Sequence, residues 1–280
     1  MQGERTTKRR GGITWLDRLF LGRGPKPPSA MRLLLLKEVR LSRRDPVQWS
    51  QCLIFFGLLS LYFVNIRRFS YNPGYSAMIG FLNLAVVGLI LSTFTTRFIF
   101  PMVSLEGQRF WILGLLPIKR DVILLTKFAF AAISSLVPCC ALMFLSDRML
   151  DIRLEILLVH QFSCAVLCLG LSAIAVGLGA RLPDLRERSP SKIAAGFGGT
   201  LTLVLSAIYI VLVVMFTAVP YHFRVILERT PAESFFGRLL PMLGGPLASR
   251  IGIGLTAVLG IIAIFWPLYI GLRAFRKLDP

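Results

Sequence analysis

Acids are scarce in this chain and histidine scarcer: 14 Asp and Glu stand against 32 Lys and Arg, with 2 His in 280 residues. A metal centre or an acid–base pair therefore has few side chains to draw on. The sequence contains no G-x-S-x-G elbow, no H-E-x-x-H pair and no G-x-x-x-x-G-K-[ST] phosphate loop, so no catalytic residue, metal site or bound cofactor is expected. If ATP drives the protein, another chain is expected to bind and hydrolyse it. Charge of either sign is low, at 16% of residues against 55% hydrophobic, which excludes an ordinary soluble domain. The five cysteines (Cys52, Cys139, Cys140, Cys164, Cys168) all fall inside apolar runs, which argues against a disulfide framework.

What is present is long apolar sequence. Six windows, 47–66, 77–100, 122–145, 154–180, 193–219 and 251–272, approach or exceed the roughly 20 residues that a helix needs to cross a bilayer. They are continuous rather than alternating, which excludes a transmembrane barrel. The fold class expected is all-α: a polytopic membrane bundle of six transmembrane helices. Residues 1–46 carry twelve Lys or Arg against four acids, which places the N-terminus in the cytoplasm, and six spans return the C-terminus to that side. The net charge of +18 is thereby read as topology, with no nucleic acid implied. The early apolar stretch Ile13 to Leu21 is broken by Asp17 and Arg18, so the first long span is expected to insert the chain.

Residues 1–30 read as a basic, flexible cytoplasmic tail or linker that can touch anionic lipid, and 31–280 as the transmembrane domain. Ahead of the first span, MRLLLLKEVRLSRRDP sets leucines beside Lys37, Glu38, Arg40, Arg43 and Arg44, a pattern for an interfacial helix. Asp45 and Pro46 supply an N-cap and first residue for the span after it. The outer segment 220–250 suits short interfacial or re-entrant helices, with an ordered loop as the alternative. Gly196, Gly198 and Gly199 open the fifth span and are read as close helix packing, not as a phosphate cradle.

His160, Cys164 and Cys168 share one helix face, but with no carboxylate expected at their depth they are read as packing. Arg97 and Lys127 lie near the inner face and are read as anchors that reach toward headgroups. Between them runs SLEGQRFWILGLLPIKRDVILLTK, Ser104 to Lys127, a charged amphipathic piece between two apolar spans. Ser104 is expected to cap a short helix with Glu106 in its first turn, Gln108 and Arg109 on polar faces and Phe110 and Trp111 as apolar anchors. Gly114 and Pro117 end it, and Asp121 is expected to cap the next span. Such a helix fits a groove in a cytoplasmic partner, or it simply buries its aromatics among headgroups; the residues alone leave both open.

At these residues the chain resembles the ABC-2 type of ABC transporter permease. KEVRLSRRDP matches that family's interfacial helix, and Glu106, Gly107, Trp111, Leu115, Leu116, Pro117, Ile118, Arg120 and Lys127 match its loop after span two, over about residues 31–280. FTTRFIFPMVSLEGQRFWILGLLP and GLGARLPDLRERSPSKIAAGFGGTL look like the C-terminal half of larger bacterial ABC permeases with two membrane halves. The resemblance implies a permease subunit in the bacterial inner membrane, an exporter driven by separate nucleotide-binding ATPase subunits that hold ATP and Mg. Its cytoplasmic coupling helix would dock them through Ser104, Glu106, Gly107, Arg109, Phe110, Trp111 and Pro117. It also implies a second permease half, either another copy or sequence upstream. A non-transporting scaffold or regulatory subunit is the competing expectation, and an intramembrane enzyme a weaker one.

Overall fold

A computed structural model of the protein describes residues 30–44, 46–66, 73–106, 118–187, 189–227 and 246–277. The described residues are almost wholly helical and include no strand. In chain order the helices are α1 (Ala30–Arg44), α2 (Pro46–Ile66), α3 (Pro73–Phe94), α4 (Pro101–Ser104), α5 (Arg120–Met149), α6 (Leu154–Arg181), α7 (Pro190–Ala195), α8 (Phe197–Leu227) and α9 (Pro246–Arg276). Proline opens five of them, at Pro46, Pro73, Pro101, Pro190 and Pro246, where a first-turn residue needs no N–H and a fixed φ suits the helix. Within spans, Pro138, Pro220 and Pro267 are tolerated because neighbouring helices pack around them.

Five of these elements are long and apolar enough to cross a membrane: Ile79–Ser104, Arg120–Met149, Leu154–Arg181, Phe197–Tyr221 and Leu247–Arg276. The protein is therefore a helical membrane protein. Of the first expected span, 47–66, the helix is present, but its described apolar stretch runs only over Leu53–Tyr62. Leu58, Leu82, Ile133, Val211, Phe265 and Trp266 point outward, a surface that water would not tolerate over such an area and hydrocarbon does. Helix α6 is the centre of the bundle, with 72% of its most apolar window buried against 28% for α9. It packs on α3, α5, α8 and α9. Its contact with α9 depends on small residues: a Cβ at Gly177 would stand 2.3 Å from the carbonyl oxygen of Pro267, and one at Gly271 2.8 Å from Gly177 Cα.

Two local departures from the α-helix shape the ends of the bundle. Between α3 and α4 the chain makes a π turn, Thr95–Ile99, in which the Phe100 N–H bonds Thr95 O at 2.9 Å. Pro101 comes directly after; having no N–H, it cannot continue an α ladder, and the wider turn accommodates its ring. At 150–153 the chain reverses between α5 and α6 with Asp151 at φ 50°, a left-handed position that Asp tolerates better than most residues.

Several expectations fall outside the described residues: the tail 1–29, the cap Asp45, the segment 107–117 with Gly107, Arg109, Phe110, Trp111 and Pro117, and 228–245 of the outer segment. Arg43 and Arg44 end α1, but their side chains are also outside them.

Candidate functional site

The polar groups of greatest consequence gather where α1, α4 and the start of α5 meet. Lys127 lies two turns into α5 and is 1% exposed. Its ammonium stands 3.3 Å from Glu38 on α1 and 3.1 Å from Glu106 just after α4, and it donates to Met102 O at 3.3 Å. Lys37 closes the group, bonding Glu106 and lying 3.6 Å from Glu38. Two lysines and two glutamates make a neutral knot drawn from three separate segments. Its Glu106 carboxyl is opposed by burial, but Lys127 and Lys37 outweigh that and hold it below the ordinary carboxylate range. A small cavity of about 60 Å³ adjoins the knot between Leu41, Met102 and Phe130, so its members are not locked on every side.

This geometry corrects two readings of the sequence, those of Lys127 and Asp121. Lys127 does not reach toward headgroups; it is enclosed, because two carboxylates within the fold offer it a shorter path to a counter-charge. Glu38 is 5% exposed, on the face of α1 that also buries Leu34. Ser104 is the last residue of α4, and its hydroxyl accepts the Asp184 N–H at 3.1 Å; the helix it was expected to cap lies outside the described residues. Asp121 is not the cap of α5, whose N-cap is Lys119; in the first turn it instead accepts Arg276 Nε at 2.8 Å, tying the end of α9 to the start of α5. Arg40 remains exposed on α1, and Arg97 is exposed at the π turn.

A second polar group sits at the opposite end. Asp147 and His160, both 0% exposed, pair through Oδ1 and Nδ1 at 3.0 Å. The Phe81 ring meets the imidazole edge-on at 4.5 Å, and Gly80 leaves room that a Cβ would fill, at 2.4 Å from His160 Cε1. One turn away Asn83 accepts from Tyr62 and donates to Ser146, each at 2.9 Å. The carboxylate that His160 was not expected to have is thus Asp147. The sequence reading ended the third span at residue 145 and set Asp147 in an outer loop, whereas α5 continues to Met149 and carries it inside. Cys164 and Cys168 are buried and free, and among the described residues no group of three His, Cys, Asp or Glu could hold a metal. The glycines that open α8 pack closely: a Cβ on Gly198 would meet the Phe100 ring at 2.6 Å and one on Gly199 the Ala194 carbonyl at 2.0 Å.

No curated protein matches the chain. A family model described as "Putative ATP-binding cassette" matches residues 1–280. That description overturns the expected function: it names a nucleotide-binding function, not the ABC-2 permease subunit, coupled to separate nucleotide-binding subunits, that the resemblance implies. It equally overturns the expectation that the chain has no ATP-binding motif and leaves ATP to a partner. That expectation rested on the absence of one string, which describes a strand–loop–helix cradle and so tests only one way of holding a nucleotide. What stands is a relation to ABC transporters in a chain of apolar, membrane-length helices. Over its whole length the chain belongs to the family described as "Putative ATP-binding cassette".

Proposed function

We propose that the chain is a membrane-embedded member of an ATP-binding-cassette system, in which nucleotide-linked movement passes between the basic end of the bundle and the spans through Lys37, Glu38, Glu106 and Lys127. The observation that supports this is Lys127, a buried cation whose two carboxylate partners come from α1 and from the segment after α4. Burying charges costs several kcal/mol per ion, so such a knot adds little net stability but strongly couples the segments that share it. Displacing Glu106 would leave the buried Lys127 with Glu38 as its one carboxylate partner among the described residues, and the bundle would have to respond.

In this reading the basic end faces the cytoplasm of a bacterial cell, α2 is a sixth span, and α1 lies along the inner face of the membrane. The segment 107–117, joined directly to Glu106, meets the moving partner through Arg109, Phe110, Trp111 and Pro117; a second copy of this chain is the partner proposed. The test uses the full chain in nanodiscs with whatever copurifies, measuring binding of a fluorescent ATP analogue and a spin-label distance between α1 and α5. The reading expects an ATP-dependent change of distance in the wild type, with Glu106→Gln keeping nucleotide binding and losing most of that change. A wild type indifferent to nucleotide would refute the reading, and an unaltered response in Glu106→Gln would remove the knot from it.

A further inference from the structure

The π turn, the break at Gly196 and the start of α8 together enclose a cleft that the knot does not use. Its volume is about 370 Å³, and it is lined by Thr96 and Arg97 of the π turn, Ser191 of α7, and Gly199, Thr200 and Leu203 of α8. Four residues of the π turn, Thr95, Thr96, Phe98 and Ile99, are buried, and Arg97 alone is turned outward into this space. Among the described residues no carboxylate pairs with Arg97, whereas the nearby Lys192 has Glu187 at 3.6 Å. Thr96 is 3% exposed and its hydroxyl has no hydrogen-bond partner among the described residues. Gly196 is extended at ψ 176°, so α8, a helix of 31 residues, begins afresh beside the cleft with first-turn N–H groups that its own carbonyls cannot satisfy.

We infer that this cleft is a binding site for a phosphate group. A guanidinium supplies bidentate donors, the hydroxyls of Ser191 and Thr96 supply more, and the helix start adds a partial positive charge, the combination that phosphate oxygens select. The chemistry is shared by a phospholipid headgroup and a soluble phosphate. The apolar part of the lining, Ala194, Ala195 and the 41% exposed Leu203, would accommodate acyl chains below a headgroup. Arg97 lies near the end of the span Ile79–Ser104, a depth at which an arginine meets headgroup phosphates. The site is separate from the knot and does not depend on the function proposed for it.

The full-length chain, stripped of lipid in detergent, is tested by native mass spectrometry with phosphatidylglycerol or phosphatidylcholine, and by thermal melting with inorganic phosphate and pyrophosphate. Arg97→Gln should weaken binding about tenfold or more, the loss of a charge-assisted contact. Arg97→Lys should retain part of it, and Arg153→Gln, an exposed arginine at the opposite end, should retain all of it. Arg97-dependent retention of phosphatidylglycerol assigns the site to lipid. A saturable, Arg97-dependent rise in melting temperature with pyrophosphate assigns it to soluble phosphate. Binding of every probe unchanged by both Arg97→Gln and Ser191→Ala, or no binding to the wild type, overturns the inference; since both side chains are exposed, the variants should fold, as melting without ligand will show.

Discussion

Lys127 illustrates how a single side chain can be costly to bury and costlier to remove. Replacing it by Met leaves Glu38 and Glu106 facing one another with only Lys37 between them and solvent, and breaking such a buried group costs about 3–5 kcal/mol. Lys127→Met should therefore lower the melting temperature markedly in detergent, while the triple variant Glu38→Gln, Glu106→Gln, Lys127→Met should recover much of the loss. Equal melting of wild type and the single variant would show the knot to be energetically idle. Glu106 adds a pH dependence with a definite sign. Its carboxyl is held below the ordinary range, so the folded chain binds its proton less readily than the unfolded chain does. The stability it contributes is complete above the unfolded value and is lost as pH falls through the folded one. Melting measured from about pH 7 to about pH 3 should fall more steeply for the wild type than for Glu106→Gln; parallel curves would contradict this.

Among the elements, the α6–α9 contact is where substitution should be least tolerated. Gly177→Ala places a methyl group 2.3 Å from a backbone oxygen, which cannot rotate away, so the helices must part, at about 1–3 kcal/mol. Gly254, on the same α9, has nothing within 4 Å of a Cβ, and Gly254→Ala should be neutral or stabilising by up to about 1 kcal/mol through helix propensity. Thermal denaturation of the two variants gives opposite signs if the packing is as described, and equal effects if it is not. The π turn is the other element with a consequence. Pro101 forbids a regular ladder through Arg97, and the extra residue turns that arginine out of the core while its neighbours stay in.

For the whole molecule, the basic end gathers the π turn, 118–120, 181–192 and the end of α9, and the proposed orientation sets all of these in the cytoplasm. Ser191→Cys should react with a membrane-impermeant maleimide only from the cytoplasmic side, and Arg153→Cys, at the other end, only from outside. Labelling of both from one side would reverse or reject the topology. The helical, membrane-embedded character of the chain was open to a reading of its residues, as was the helix beginning at Pro46. The pairing of Asp147 with His160 was not, because it depends on where α5 stops, and hydropathy blurs the boundary by several residues. The relation to ABC transporters was legible through the resemblance, whereas the nucleotide-binding function that the family's description names was not, because one phosphate-loop string stands for only one way of holding a nucleotide.

Taken alone, the sequence determined that this chain must enter a membrane and do so as helices. That conclusion rests on local quantities: apolar runs summed over roughly 20 residues, and backbone groups that hydrocarbon leaves no other way to satisfy. Tertiary structure decided which charges are buried and with whom. Residues 38, 106 and 127 are far apart in the chain, and only the packing of α1 on α5 and the placing of the segment after α4 bring both carboxylates within 3.3 Å of the Lys127 ammonium. The same holds for the cleft, whose arginine and hydroxyls come from the π turn, α7 and α8: a charge's partner is set by distance in space, and hydropathy carries no information about it.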